Sequence, residues 1–443
     1  MSRVRHGEKK VLARETPVQD KPPTDTPPAD LVILGARQVV LCDPGKPDGI
    51  GVVEGGAVAV RGELIAAVGP AFAIMALIGA QTRIVDARGG IVAPGLVDCH
   101  THLIFEGDRS SEYFHRTQGL DDEGLVAAGL VWGVPASRAI NAGLPVERLA
   151  EAALRRARSM LALGTTTIET KSGYGLDHDS DLASLEAARL VEEVTGVEIV
   201  GTYLGAHARP RDGAARYLDQ MIADTIPAVA ERGLAEFCDV YVDPDVFTVE
   251  ECRRVLAAAA DVGLAAKLHT DARVNVGGAR LAAEMKAASV DHGNMLSDDD
   301  LRALADAGTS VAFFPGFDWA VGHPRPVNAR RFACSGINVA LATDLCPVCW
   351  HLSQQMSMGF ACRLSGMSPE EALLGVTLNA AKAIRRDARI GSITPGKQAD
   401  LVVFDVPDFR QLAFRFGSNA AAVVIKKGRV LVDATRLNPR DEQ

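Results

Sequence analysis

The chain has 443 residues, 47% of them hydrophobic and 23% charged, which suffices for one large α/β core with a smaller domain beside it and excludes an intrinsically disordered chain. Its 47 basic and 56 acidic residues leave a net charge of −9 with no dense Lys/Arg block, so nucleic acid is excluded as an expected partner. The richest apolar run, Val255 to Leu268, is broken by Asp261 and Lys267 and falls short of the roughly 20 apolar residues of a membrane span, and eight scattered cysteines suit reduced thiols in the cytoplasm rather than a disulfide scaffold.

Residues 1–30 alternate acids and bases, carry Pro17, Pro22, Pro23, Pro27 and Pro28, and have no apolar segment of the signal-peptide kind; they read as a disordered leader. Short β-type runs then follow at Leu31 to Leu34, Val39 to Leu41, Ala57 to Val60 and Leu64 to Val68, separated by Gly and Pro turns. The same texture returns at Ala399 to Asp405, Ala422 to Ile425 and Lys427 to Val432, so a small discontinuous β unit is expected from both ends of the chain.

The middle, about Pro94 to Arg389, repeats a strand followed by an amphipathic helical stretch. Candidate strands end near His102, Lys171, His207, Asp243, Asp271, His292, Pro315 and Asp344. Eight such repeats predict a (β/α)8 barrel, whose active site gathers at the C-terminal ends of the strands; a doubly wound open sheet is the alternative.

Pro94-Gly-Leu-Val-Asp-Cys-His-Thr-His102 places two imidazoles two residues apart on the first strand, where the period of two turns both to the same side. A lone His-x-His is weak evidence. His269 at the end of the fifth strand and Asp344 at the end of the eighth strengthen it, because three imidazoles and a carboxylate would converge at the barrel mouth. Such a set suits one zinc or iron ion per chain, with a position left for an activated water. Asp344 is the candidate acceptor of that water's proton. His292, at the end of the sixth strand and outside the ligand set, is the candidate group for orienting the water or stabilising charge on a carbonyl oxygen.

The His-x-His run, His269, His292, Ala342-Thr-Asp344 and the tail Gly391-Ser-Ile-Thr-Pro-Gly-Lys-Gln-Ala-Asp-Leu401 together resemble the amidohydrolase superfamily. Within it the chain is most similar to the imidazolonepropionases of histidine degradation, over roughly residues 31–434, through Gly107-Asp-Arg109, Lys171-Ser-Gly-Tyr-Gly175, Leu204-Gly-Ala-His207 and Gly277-Gly-Ala279. The resemblance implies a barrel over 94–389 and a β-sandwich over 31–93 plus 390–434. It also implies a metal held by His100, His102, His269 and Asp344, and substrate contacts from Arg109, Tyr174 and His207. The family pattern lacks a bridging lysine at the fourth strand, and Phe237 to Val242 offers none, so one metal is expected. Cys238 and Asp243 read as a buried thiol and a solvated carboxylate.

Departures from the family pattern concentrate around the substrate. Three residues after His269 the family carries Glu or Gln against the substrate ring, and this chain has Ala272. After the metal aspartate the family reads Asn-Pro-Gly, which holds the propionate; here the run is Leu345-Cys346-Pro347-Val348-Cys349. Asp122 stands where a tyrosine is usual, the glycine triplet is replaced near Leu130-Val-Trp-Gly133, and Phe317 to His323 also differs. Cys346 and Cys349 read as small pocket-lining thiols, since no second Cys pair completes a tetrahedral site; Trp319, His323 and His351 read as loop residues with no chemical role, reach to the pocket being the alternative.

The sequence thus leads to a metal-dependent hydrolase opening a non-peptide C–N bond of a small cyclic amide, an imidazolone-like nitrogen heterocycle for which Arg109 recognises negative charge or a carbonyl. The alternatives are imidazolonepropionase itself, a heterocycle deaminase, and a non-catalytic binding or assembly relative. A second copy of the chain, as a homodimer, is the other partner considered.

Overall fold

Eight parallel strands follow one another around the centre of the molecule: Leu96–Thr101, Thr165–Lys171, Glu198–Ala206, Phe237–Val242, Ala265–Thr270, Ser289–His292, Ser310–Phe313 and Val339–Leu341. The computed structural model describes residues 27–210 and 213–437. Each strand pairs with the next in parallel register. The order never reverses, so the sheet has no switch point of the doubly wound kind. Beyond the last ladder the seam closes through two backbone bonds, from His102 N–H to Leu345 O (2.8 Å) and from Asp344 N–H to His100 O (3.2 Å). The eight expected strand ends fall within a few residues of these.

The strands are buried on both faces, as a parallel sheet wrapped in helices requires. The second strand is nonetheless Thr-Thr-Thr-Ile-Glu-Thr-Lys, with Glu169 and Lys171 on one face by the period of two, and the fifth sets Lys267 and His269 on one face likewise. The interior of this barrel therefore holds charge. The outer helices are ordinary amphipathic elements. Val146–Ala162 buries Leu149, Ala153, Ala157 and Met160 at three- and four-residue spacing. His178–Thr195 starts on the Asp177 side chain, which accepts from Ser180 N–H, and ends on left-handed Gly196.

Before its crossover helix, the chain leaving the first strand makes three short helices, Ser110–Thr117, Asp122–Ala127 and Gly133–Asn141, which wall one side of the barrel mouth. Arg109 N–H donates to Pro347 O (2.9 Å), pinning this excursion to the turn after the eighth strand.

Two further sheets lie beside the barrel. One has the order Leu64–Pro70, Gly56–Arg61, Leu31–Leu34, Arg83–Asp86; the other has Arg429–Asp433, Ala421–Lys426, Leu401–Phe404, Ile91–Pro94, Gln38–Val40, Val52–Glu54. The second mixes both chain ends, Leu401–Phe404 pairing antiparallel with Ile91–Pro94. Ile33, Val58, Val60 and Val85 of the first sheet share one apolar cluster with Val39, Val92, Leu401 and Ile425 of the second, which makes a sandwich. Lys426 ties it to the barrel: its buried Nζ donates to Asp400 Oδ2 (2.8 Å), Glu198 Oε2 (2.9 Å) and Thr167 Oγ1 (3.2 Å).

Most of the expected leader lies outside the described residues, but Ala29 and Asp30 are already fixed, donating to Leu77 O (2.8 Å) and Val60 O (2.9 Å). No helix among the described residues is long and apolar enough to cross a membrane.

Candidate active site

At the C-terminal ends of the first and fifth strands, His100, His102 and His269 offer ring nitrogens within 4.8 Å of one another. Asp344 Oδ1 lies 3.6 Å from His100 Nε2 and 3.7 Å from His102 Nε2. All four residues are buried. His100 Nε2 and both ring nitrogens of His269 have no hydrogen-bond partner among the described residues. A buried imidazole nitrogen without a partner costs about 1–3 kcal/mol, and a cation at the convergence point removes that cost. Burial, reinforced by neighbouring cations, holds all three imidazoles well below their ordinary pKa, in the neutral form a metal requires. The donor set therefore fits a divalent ion bound through nitrogen and oxygen.

Beneath these ligands lies a charged layer that the sequence reading missed. His100 Nδ1–H donates to Asp291 Oδ2 at 2.6 Å, which fixes the tautomer and leaves Nε2 as a lone pair. His269 Nδ1 lies 3.0 Å from Asp239 Oδ2, and its backbone N–H donates to Asp239 Oδ1 (3.1 Å). Lys171 Nζ sits 2.7 Å from Glu169 Oε1, 2.9 Å from Asp239 Oδ2 and 3.6 Å from Asp291 Oδ2. Lys267 Nζ donates to Ser289 Oγ (2.6 Å) and lies 3.6 Å from Asp291 Oδ2. Burial alone would lower the Lys171 ammonium, but Glu169, Asp239 and Asp291 outweigh it and raise its pKa above the ordinary value. Burial likewise works against the Asp291 carboxylate, and Lys267 with Lys171 overcomes it. The available signal was the period-two charge on strands predicted to be buried.

His102, His269 and Asp344 face a cavity of about 1170 Å³, with His100 behind them. His292, Arg109, Tyr174, His207, Ala272, Cys346 and Val348 all line it, so every residue singled out as catalytic or substrate-contacting borders one space. His292 adopts a left-handed backbone (φ 75°), its ring 4.9 Å from that of Phe314 and 5.5 Å from that of His269, and burial pushes its pKa down to about 4. His207 stacks on His102 at 4.8 Å between ring centroids, with Nδ1–H donating to Gly173 O (3.1 Å). The Tyr174 ring stands 5.4 Å from His102 and 5.2 Å from His207. Arg109 lies 3.6 Å from Glu112 Oε2 through Nε, which has no hydrogen-bond partner among the described residues.

The positions that depart from the family pattern have their own partners. The carbonyl of Ala272 accepts from His323 Nε2 (3.0 Å), so His323 belongs to the wall of the site. Asn294 Nδ2 donates to Asp318 Oδ2 (2.9 Å) beside it. Asp122 accepts from Arg116 (2.7 Å), whose guanidinium lies over the Trp132 ring. Cys346 and Cys349 exchange backbone hydrogen bonds (3.0 and 3.1 Å) in a tight turn; Cys346 faces the cavity while Cys349 is buried without lining it. Trp319 lines the cavity, whereas His351 does not and instead bonds Ser357 Oγ through Nε2 (2.9 Å). Cys238 is a buried thiol, as expected. Asp243 is not solvated: it is 4% exposed and 3.3 Å from Arg273 Nη2, because the end of the fourth strand is covered by the Arg273 loop.

Residues 91–431 match the Amidohydrolase family. The chain belongs to the amidohydrolase family. It is 38% identical to the imidazolonepropionase of Chloroflexus aggregans over 91% of this chain and 99% of that protein. To the imidazolonepropionase of Geobacillus kaustophilus it is 39% identical over 91% of this chain and 96% of that protein. Among solved structures, a zinc-bound adenosine deaminase from Xanthomonas campestris has a TM-score of 0.72 at 20% identity, covering 92% of this chain and 94% of that one. The atrazine chlorohydrolase of Arthrobacter aurescens complexed with zinc has a TM-score of 0.67 at 16% identity, covering 91% and 95%. These two likenesses concern the fold. As an amidohydrolase the protein is a metal-dependent hydrolase of carbon–nitrogen bonds other than peptide bonds.

Proposed function

We propose that this amidohydrolase uses one zinc or iron ion, held by His100, His102, His269 and Asp344, to open a C–N bond in a small, polar, imidazolone-like ring other than imidazolonepropionate. The observation that carries the reading is the convergence of three neutral imidazoles and a carboxylate on a cavity whose recognition groups are changed: Ala272, Cys346 and Val348. When bound, such an ion polarises a carbonyl oxygen and brings the pKa of a water to roughly 7. Asp344 Oδ1 faces the imidazoles, so Oδ2 is the atom that takes a proton from the attacking water and returns it to the leaving ring nitrogen. His292 faces the same space and stabilises negative charge on the former carbonyl oxygen. Arg109 binds an anionic or carbonyl group of the substrate, while Tyr174 and the His207–His102 stack flank the ring. A cytoplasmic location is proposed from the eight free cysteines.

One observation favours a second reading, imidazolonepropionase activity itself: relatives of that name are 38–39% identical over nearly the whole chain. Kinetic comparison of imidazolonepropionate with hydantoins, imidazolones and other cyclic amides separates the two. A changed cradle loses two or three hydrogen bonds to charged groups, each about 1.5–3 kcal/mol, and so lowers kcat/KM for imidazolonepropionate by about 10³-fold or more. A value near ~10⁵ M⁻¹s⁻¹, in the ordinary enzyme range, establishes the second reading instead. Release of ammonia from an exocyclic amine with the ring intact would point to a deaminase.

A further inference from the structure

We propose that the Lys171 ammonium is a built-in substitute for a second metal ion: it fills a position that Asp239, Asp291 and His269 would otherwise offer to a cation, and it thereby holds the site to one metal per chain. The inference rests on the proposed ion at His100, His102, His269 and Asp344.

The first observation is the donor set. Asp239, His269 and Asp291 each present a ligand-type atom within 4.8 Å of the other two, and all three are buried. His269 turns its Nδ1 edge to Asp239, at 3.0 Å from Oδ2, which leaves its Nε2 edge for the first ion. Two carboxylates and an imidazole edge at such spacing are what a divalent cation takes as oxygen and nitrogen ligands.

The second observation is what stands among those donors. Lys171 Nζ reaches Asp239 Oδ2 at 2.9 Å and Asp291 Oδ2 at 3.6 Å, from the second strand, and is anchored by Glu169 Oε1 at 2.7 Å. Lys267 holds a different place. It lies 3.6 Å from Asp291 Oδ2 but is hydrogen-bonded to Ser289 on the neighbouring strand, with no contact to Asp239. One lysine pairs directly with both acids that orient metal ligands, and the other pairs directly with Asp291 and reaches Asp239 only through its longer-range field.

Charge decides the direction of the effect. Glu169, Asp239 and Asp291 bring three negative charges into a fully buried layer, and Lys171 with Lys267 brings two positive ones. Removing Lys171 leaves Lys267 facing three carboxylates, together with a hole of the ammonium's size. An uncompensated buried charge is strongly destabilising. A small divalent ion entering that hole restores the balance with the donors already in place.

The test is metal stoichiometry. The purified protein, stripped with a chelator and reloaded with Mn²⁺, is measured by elemental analysis and by calorimetric titration, alongside Lys171→Ala, Lys267→Ala and the pair Lys171→Ala/Asp239→Asn. One manganese is expected for the parent protein and for Lys267→Ala, two for Lys171→Ala with a coupled two-manganese signal in electron paramagnetic resonance, and one for the pair. If Lys171→Ala folds only when Mn²⁺ is supplied during expression and then carries two ions, the inference stands. If it folds and binds one ion with parental affinity, or fails to fold with and without Mn²⁺, the inference is overturned. A parent protein that binds no metal overturns the underlying reading of the site, a result distinct from a parent with one ion and a variant with one.

Discussion

The backbone amide of Asp344 donates to the backbone carbonyl of His100 at 3.2 Å, across the seam where the eighth barrel strand meets the first. The side chains of the same residues approach to 3.6 Å on the cavity side. Barrel closure and the convergence of candidate ligands are therefore one event. Asp344 sits at φ 49°, a left-handed conformation that costs a non-glycine residue about 1–3 kcal/mol and persists where the surroundings over-determine it. The seam bonds of Asp344 and His102 supply that constraint.

Asp344→Asn is expected to lower turnover by several orders of magnitude, because it removes the proposed proton acceptor and weakens a ligand at once. Asparagine tolerates the left-handed backbone, so the fold should survive. Steady-state kinetics with metal analysis check this; a variant with near-parental turnover would remove Asp344 from the chemistry.

His292→Ala should retain the metal and lose about 10²- to 10³-fold in kcat, the usual cost of one group that stabilises a developing oxyanion. Since His292 is also left-handed at φ 75°, His292→Asn is the companion that keeps the backbone preference. Equal losses in both, with unchanged metal content, separate the role of the imidazole from backbone strain. Parental turnover in either would end that assignment.

Ala272→Glu is predicted to raise kcat/KM for imidazolonepropionate by tenfold or more, since one hydrogen bond to a charged group is worth about 1.5–3 kcal/mol. The carbonyl at this position holds His323, and a side-chain change leaves that bond in place. The rate on the preferred ring should fall. An unchanged ratio between the two substrates would show that position 272 does not govern the choice.

Acid should destabilise the protein partly through His351, a half-buried residue outside the cavity whose pKa desolvation pushes down to about 4. The folded value is depressed below the unfolded value of about 6.5, so below pH 6.5 the unfolded chain gains a proton that the folded chain does not. Stability is lost as pH falls from about 6.5 to about 4, by on the order of 2–3 kcal/mol from this group. His351→Gln should show a smaller drop in urea midpoint between pH 7.5 and pH 4.5. Identical drops in the two proteins would contradict it.

The fold was largely legible because strand ends in a barrel carry polar residues and the intervening helices keep a 3.6-residue apolar period. His100, His102, His269 and Asp344 stood out because three imidazoles and a carboxylate at three strand ends are rare without a purpose. The layer beneath them was not found: Glu169, Lys171, Asp239, Lys267 and Asp291 each look like an ordinary surface charge unless their strands are known to be covered on both faces. Asp243 was misjudged for the same reason, as its exposure depends on a loop from the next repeat. The role of His323 depends on a contact with Ala272, 51 residues away in sequence, and no local pattern encodes it.

The sheet that interleaves both chain ends also imposes an order on biosynthesis. Ile91–Pro94 waits for Leu401–Phe404, its antiparallel partner, while roughly 300 intervening residues are made, which at about 5–20 residues per second takes roughly 15–60 s. Through that interval Val92 and its neighbours present an unpaired apolar edge on the ribosome-bound chain, and Glu198 lacks Lys426. The barrel can assemble as its repeats emerge, but the sandwich is completed only after the segment through Lys426 has been made. A nascent chain arrested before residue 400 should therefore depend on holdase chaperones, and that dependence should end once the segment through Lys426 has cleared the exit tunnel.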